Sequence, residues 1–312
     1  MLRRRHRGPV KAVVALPHAN IVLSGGSQFY RCIMINPVLF NRDDPAQPPV
    51  IYPEPIMHPM PMAVFDLVIA DDGTSRMFVA LGDATVLVIA ADNAEGQSGQ
   101  PIPRQAVYSG HTAAVHVLAF CKATDMLYTG STDRTVRGWN TREGRGACSS
   151  RDVLRHHYDR VRALAVTSDG ETLVSGSDDG NICVWSTGLS TATVRTNYAQ
   201  SAYRMRTVEA HSAAVVSLAM WQPGGHPISA GSDGAVVLWD TGCTARLLQL
   251  PPGPKFRLGD GDGDLDATMA YARQKSVGVG GLAVTSTGLL LSLGESGDIL
   301  LHGATPKPDH IP

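Results

Sequence analysis

Gly110-His111-Thr112-Ala113-Ala114-Val115, followed downstream by Thr129-Gly130-Ser131-Thr132-Asp133-Arg134-Thr135-Val136-Arg137-Gly138-Trp139, is the stretch that decides the fold. It recurs twice. The second copy runs from His157-Tyr158-Asp159-Arg160-Val161 to Ser175-Gly176-Ser177-Asp178-Asp179-Gly180-Asn181-Ile182-Cys183-Val184-Trp185. The third runs from Ala210-His211-Ser212-Ala213-Ala214-Val215 to Ser229-Ala230-Gly231-Ser232-Asp233-Gly234-Ala235-Val236-Val237-Leu238-Trp239-Asp240. In every copy the aspartate follows the histidine by 22 positions and the tryptophan follows it by 28. Spacing held three times marks an internal repeat, in which one supersecondary unit stacks on copies of itself. Between the fixed residues lie short β-branched runs bounded by Gly, Asp and Ser, the pattern of strands joined by tight turns. Tyr198 to Val208 and Ala245 to Leu250 each fit a further strand, and helical periodicity is absent over any useful length.

Weaker copies lie on either side. Val10 to Ala15 with Leu23-Ser24-Gly25-Gly26-Ser27-Gln28 to Met34 fits the template, and counting back 22 from Gln28 reaches His6. Phe65 to Ala70 with Val79 to Ile89 makes another. Gly281 to Val284 with Leu291 to His302 makes a last one, shortened by one residue. Met34, Ile89 and His302 stand where the strong copies have tryptophan, so these units are expected to rely on apolar packing.

The strong copies resemble the WD40 repeat family, with its Gly-His opening and Trp-Asp close. The resemblance implies an all-β, WD40-type β-propeller with six recognisable four-stranded blades, occupying 1–312 as one domain. It also implies a structural tetrad in each strong copy: His111, Thr129, Asp133 and Trp139; His157, Ser175, Asp179 and Trp185; His211, Ser229, Asp233 and Trp239. The carboxylate would accept from one imidazole nitrogen, the other would face the hydroxyl, and the hydroxyl would meet the indole N–H, so that each buried polar group has a partner. The match is imperfect. His156 and Ala210 replace the glycine before the second and third histidines, and Asn140 and Ser186 follow the first two tryptophans.

Two excursions interrupt the repeats. Residues 35–62 contain eight prolines, which cannot donate to a sheet ladder, so this stretch should be mostly irregular with one outer strand near Val50 to Tyr52. Residues 251–276 form the second. Propellers of this family usually lend an N-terminal strand to the last blade. Here the first unit begins almost at Met1, and prolines 306, 308 and 312 crowd the end. A ring closed weakly by the tail, an open ring, and a gap completed by another chain all stay open, since exposed sheet edges are normally avoided.

Composition narrows the function classes. Hydrophobic residues make up 43% and charged residues 18%, and 27 basic against 28 acidic side chains leave a formal charge of −1. No bulk attraction to nucleic acid or membrane follows. Five cysteines (Cys32, Cys121, Cys148, Cys183, Cys243) form no C-x-x-C pair, so neither a disulfide framework nor a zinc site is expected and a reducing, intracellular setting is. No apolar run is long enough for a membrane helix. The Arg-rich start raises a mitochondrial presequence, disfavoured because the first repeat already claims His6 to Val10.

A recurring Ser, His and Asp invites a hydrolase reading. The structural reading is stronger, because a tryptophan accompanies the set each time and no G-x-S-x-G elbow appears. No catalytic residue, cofactor, metal or small-molecule substrate is expected. Asp260-Gly261-Asp262-Gly263-Asp264-Leu265-Asp266 alternates carboxylates as a calcium loop does, but an EF-hand wants glycine at Leu265 and glutamate at Tyr271. Tyr158, Arg160 and Arg162, with Arg134 in the preceding turn, are the candidate partner-binding residues, aromatic and arginine side chains being those that dominate interfaces. The plain alternative is that the arginines only pair with Asp159 or Asp178. Arg3, Arg4, Arg5 and Arg7 could instead meet RNA phosphates. The expected function is a non-catalytic scaffold for protein partners in a larger assembly, with a structural role in an RNA–protein particle as the alternative.

Overall fold

A computed structural model describes residues 10–16, 21–26, 32–39, 50–51, 56–70, 76–90, 104–142, 146–148, 152–188, 203–221, 225–250, 279–284, 290–294 and 299–302. Among them no helix forms; the secondary structure is strands and turns. The chain divides into two compact units, Met1–Asp133 with Arg137–Arg151, and Arg134–Val136 with Asp152–Pro312.

In the first unit, β1 (Val10–Leu16), β2 (Ile21–Gly26) and β3 (Cys32–Leu39) run antiparallel, and both β4 (Val50–Ile51) and β5 (Ile56–Pro59) pair with β3. The proline-rich stretch 35–62 thus holds the end of β3, β4 and β5. β5 lies along Cys32 to Ile35, and β4 along Val38 and Leu39. The second sheet is built from β6 (Val64–Ile69), β7 (Arg76–Leu81), β8 (Val86–Ala90) and β9 (Arg104–Tyr108). A third follows with β10 (Val115–Cys121), β11 (Met126–Ser131) and β12 (Thr135–Asn140). The chain then returns to the second sheet, where β13 (Gly146–Cys148) lies parallel to β9.

The second unit opens with β14 (Asp152–Arg155). Two antiparallel four-stranded sheets follow: β15 (Val161–Val166), β16 (Thr172–Ser177), β17 (Asn181–Ser186) and β18 (Tyr203–Glu209), then β19 (Val215–Trp221), β20 (His226–Gly231), β21 (Val236–Trp239) and β22 (Arg246–Leu250). The last sheet has three strands among the described residues, β23 (Val279–Val284), β24 (Leu290–Gly294) and β25 (Ile299–His302), where four were expected. Residues 303–312 lie outside the described residues, as does 251–276 with its aspartate-rich loop.

One irregularity repeats in all six sheets. The pairing of the first strand with the second slips between Val10 and Ala12, Val64 and Asp66, Val115 and Val117, Val161 and Ala163, Val215 and Ser217, and Val279 and Gly281. A bulge at this place bends and twists the strand as it enters the sheet. In four of them the valine before it is driven inward: Val64, Val115, Val161 and Val215 are fully buried, whereas Val10 is exposed. Neighbouring sheets interlock through that valine. A side chain at Gly25 would come within 2.5 Å of Val64, and one at Gly176 within 2.5 Å of Val215. Glycine at these two places is the hole into which the next sheet's valine fits. Apolar clusters accordingly span adjacent sheets, Leu23 and Ile33 with Val64, Val79 and Ile89 in one, and Val174 and Val184 with Val215 and Trp239 in another.

Candidate functional site

Each strong repeat places its four polar residues at four successive points along the chain. The histidine sits just before the first strand, the hydroxyl midway along the second, the aspartate in the turn that follows, and the tryptophan near the end of the third. In the first repeat His111 Nδ1 lies 2.8 Å from Asp133 Oδ2 and Nε2 lies 2.7 Å from Thr129 Oγ1, while Trp139 Nε1 donates to the same oxygen at 2.9 Å. In the second, His157 Nδ1 is 3.3 Å from Asp179 Oδ2, Nε2 is 2.8 Å from Ser175 Oγ, and Trp185 Nε1 donates to Ser175 at 2.8 Å. In the third, His211 Nδ1 sits between the Asp233 oxygens at 3.0 and 3.2 Å, Nε2 is 2.8 Å from Ser229 Oγ, and Trp239 donates at 2.9 Å.

The carboxylate also fixes backbone. Asp133, Asp179 and Asp233 accept from the N–H that follows each histidine, on Thr112, Tyr158 and Ser212. Gly180, in the turn after Asp179, has φ of 80°, and its carbonyl accepts the N–H of His211 at 3.1 Å. A side chain there would lie 2.6 Å from the His211 carbonyl, so glycine serves both the left-handed turn and the close approach. The three hydroxyls are fully buried and already engaged by indole and imidazole. In each repeat the set joins the entry loop, the second strand and the third strand through these bonds.

The electrostatics of the sister sets differ. Burial alone would lower His157, but the hydrogen bonds its imidazole makes to Asp179 and Cys183 outweigh it and hold it up at about 9. His211 is lowered, by burial first and by nearby Arg246, against the pull of Asp233. Burial raises the carboxyls of Asp179 and Asp233, but the hydrogen bonds they accept dominate, and both stay below the usual carboxylate range.

Three of the candidate partner residues, Tyr158, Arg160 and Arg162, lie beside the second set. Tyr158 is 75% exposed, although its own N–H is tied to Asp179. Arg160 Nε and Arg162 Nε approach the two oxygens of Asp178 at 2.7 and 2.9 Å, as ion pairs rather than well-aligned hydrogen bonds. The two side chains nevertheless remain 44% and 41% exposed. The pairing expected under the plain reading is therefore present, but it does not bury the arginines. Arg134 is exposed, at the tip of its turn, with φ of 68°. The same turn position is Gly180 in the second repeat and Gly234 in the third, both with positive φ. Arg3, Arg4, Arg5 and Arg7 lie outside the described residues. Among the described residues, no group of three or more His, Cys, Asp or Glu is placed to hold a metal ion.

Two features escaped the sequence reading. Asp66, one carboxylate in the apolar run Val64–Ile69, accepts from Leu67 N–H at 2.8 Å and from Leu118 N–H on β10 at 2.7 Å, tying two neighbouring sheets. Burial pushes its carboxyl up to about 7 against both donors. The second is a threonine two places after each repeat tryptophan, at 141, 187 and 241. Thr141 Oγ1 donates to Asp125 O at 2.8 Å and Thr187 Oγ1 to Gly170 O at 2.5 Å, each closing the turn at the far end of its sheet. The recurrence of Trp-x-Thr was visible in the sequence and would have found it.

A family model described as "WD domain, G-beta repeat" matches residues 103–140, 148–186 and 203–240. The chain is similar to the F-box-like/WD repeat-containing protein TBL1X of Mus musculus, 28% identical over 167 residues, which are 50% of this chain and 29% of that protein. It is similar to TBL1Y of Homo sapiens at 28% identity over 167 residues, 50% of this chain and 30% of the relative. The match thus spans less than a third of these relatives' length. The same three segments carry the polar tetrads, so residues 103–140, 148–186 and 203–240 are WD40 repeats, set in an all-β chain whose sheets follow the pattern of a WD40-type β-propeller.

Proposed function

We propose that this protein is a non-catalytic scaffold in a multisubunit assembly, meeting a partner through Tyr158, Arg160, Arg162 and Arg134. WD40 repeats are protein-interaction modules, which supports the class of function. The observation that carries the site is the exposure of Tyr158 on a backbone fixed by Asp179, next to two arginines held in place by one nearly buried carboxylate. Side chains already ordered lose less freedom on binding, and exposed Tyr and Arg supply area and donors to an interface. The contact is proposed to occur in a reducing, intracellular setting. Cys32, Cys121, Cys183 and Cys243 are buried free thiols. Burial, reinforced by Asp240 and opposed by Arg206, pushes Cys243 up to about 12, so it is inert.

The test is quantitative affinity purification of the tagged wild type against the Tyr158→Ala/Arg160→Ala double variant, with melting temperature measured on both. The reading requires at least one stoichiometric partner to be lost while Tm stays within about 2 °C. An unchanged partner set, or a large fall in Tm, contradicts it.

A further inference from the structure

The second sheet ends differently from the fourth and fifth. Its last antiparallel strand, β9, does not lie at the edge: β13 pairs with it in parallel, Gly146 beside Ala106, Ala147 beside Val107 and Cys148 beside Tyr108. Among the described residues β18 and β22 carry no such fifth strand. The cover over β9 is thin. It is three residues long, two of them Gly and Ala, which are poor strand formers, and parallel pairing is slightly the weaker kind per residue. The strand beneath is well seated, with Ala106 and Tyr108 buried and Tyr108 stacked on Trp139 at 5.3 Å. A firm edge covered by a weak strand is a place where one extended segment can replace another.

We propose that the outer edge of β9 is a strand-addition site for an extended segment of a partner protein, running parallel to β9 with β-branched residues at the three paired positions, and that β13 is the chain's own placeholder there. The protein's own segment shows which occupant fits: an extended backbone, in that direction and register. A partner segment richer in Val, Ile or Thr keeps the same backbone hydrogen bonds and adds side-chain packing that Gly and Ala cannot. This rests on the scaffold reading but uses a different surface from Tyr158 and Arg160, so either can fail alone.

The experiment uses the full-length chain and two synthetic nonapeptides. One is the protein's own residues 143–151 with Cys148→Ser; the other carries Gly146→Val, Ala147→Thr and Cys148→Thr in the same segment. Binding is read by fluorescence anisotropy, and hydrogen exchange is followed at residues 104–108. In the double variant Gly146→Pro/Ala147→Pro, whichever of the two N–H groups faces β9 is gone. The proposal predicts that exchange at 104–108 quickens about 10-fold while β6 to β8 keep their protection. It predicts that the own-sequence peptide binds this variant at least about 10-fold more tightly than it binds wild type. On wild type, the β-branched peptide binds better than the own-sequence one and quickens exchange at 146–148, a result that does not depend on the proline variant folding. Equal binding of both peptides to wild type, no binding of either peptide to either protein, or exchange at 104–108 as fast in wild type as in the variant overturns it.

Discussion

The second and fourth sheets share one frame and fill it with opposite chemistry. Both enter through a buried valine before a bulge, and both slip again near the end of the third strand, at Val88/Ile89 and at Val184/Trp185. At the four equivalent positions the fourth sheet has His157, Ser175, Asp179 and Trp185, and the second has Met60, Val79, Asp83 and Ile89. Val79 and Ile89 are fully buried in an apolar cluster, and Asp83, with no histidine to meet, turns to Thr85 Oγ1 at 2.6 Å. Apolar interlocking therefore suffices to make the sheet. The polar chain is a second layer that pins the entry loop and the turn to the third strand in three repeats, and with them the surface carrying Tyr158.

The comparison can be broken at its two tryptophan-equivalent positions. Trp185→Ala should cost about 3–5 kcal/mol, since it empties a large buried site and leaves the Ser175 hydroxyl without its donor. Ile89→Ala should fall lower, about 2–4 kcal/mol, because only packing is lost there. Urea unfolding of both variants checks the order; a larger loss at Ile89 would mean that the polar layer adds nothing.

A pH series sharpens it next. His157 is raised to about 9, so its stabilisation is whole below its ordinary 6.5 and disappears as pH rises through about 9. Asp66 is raised from 3.8 to about 7, so the native state holds a proton that the unfolded chain has lost, and stability declines as pH climbs from about 4 to 7. His211, lowered, acts oppositely: its contribution is full above its ordinary 6.5 and is lost as pH falls below it. Asp66→Asn should remove the decline between about pH 4 and 7 from the melting profile and leave the loss near pH 9. NMR titration should find His157 still charged at a pH where His211 is neutral. Identical titration of the two histidines would erase the distinction drawn between the sister repeats.

The smallest effect is expected at a turn. Arg134 holds a left-handed backbone that its sister repeats give to Gly180 and Gly234. Arg134→Gly should stabilise the fold by up to about 1 kcal/mol, the relief of a side chain held at positive φ. If partner recovery drops in the same variant, the strain was kept for contact. A loss of stability would mean that the arginine packs.

Much of this was legible because the repeat is local in sequence. His111, Thr129, Asp133 and Trp139 fall within thirty positions, and their spacing encodes two tight turns and three strands. Apolar substitution hid the second sheet's equivalence without altering its frame, so Met34 and Ile89, both buried, could still be read as stand-ins. What stayed hidden depends on distance along the chain or on backbone geometry. Asp66 meets Leu118 across 52 positions, and nothing near Asp66 announces that partner. Gly146 to Cys148 has too little strand propensity to be noticed, and it becomes a strand because β9 offers it an edge. Within 35–62 the prolines pointed to mostly irregular chain with one outer strand, and gave no sign that Ile56–Pro59 would pair along β3 as well as Val50–Ile51.

The most direct measurement is a double-mutant cycle between Ser175→Ala and Trp185→Phe, read by urea unfolding. If the hydroxyl and the indole form one continuous chain with His157, the two losses will fall short of adding, with a coupling of about 0.5–3 kcal/mol. Additive losses, or an enzymatic turnover abolished by Ser175→Ala in a protein of unchanged stability, would contradict it.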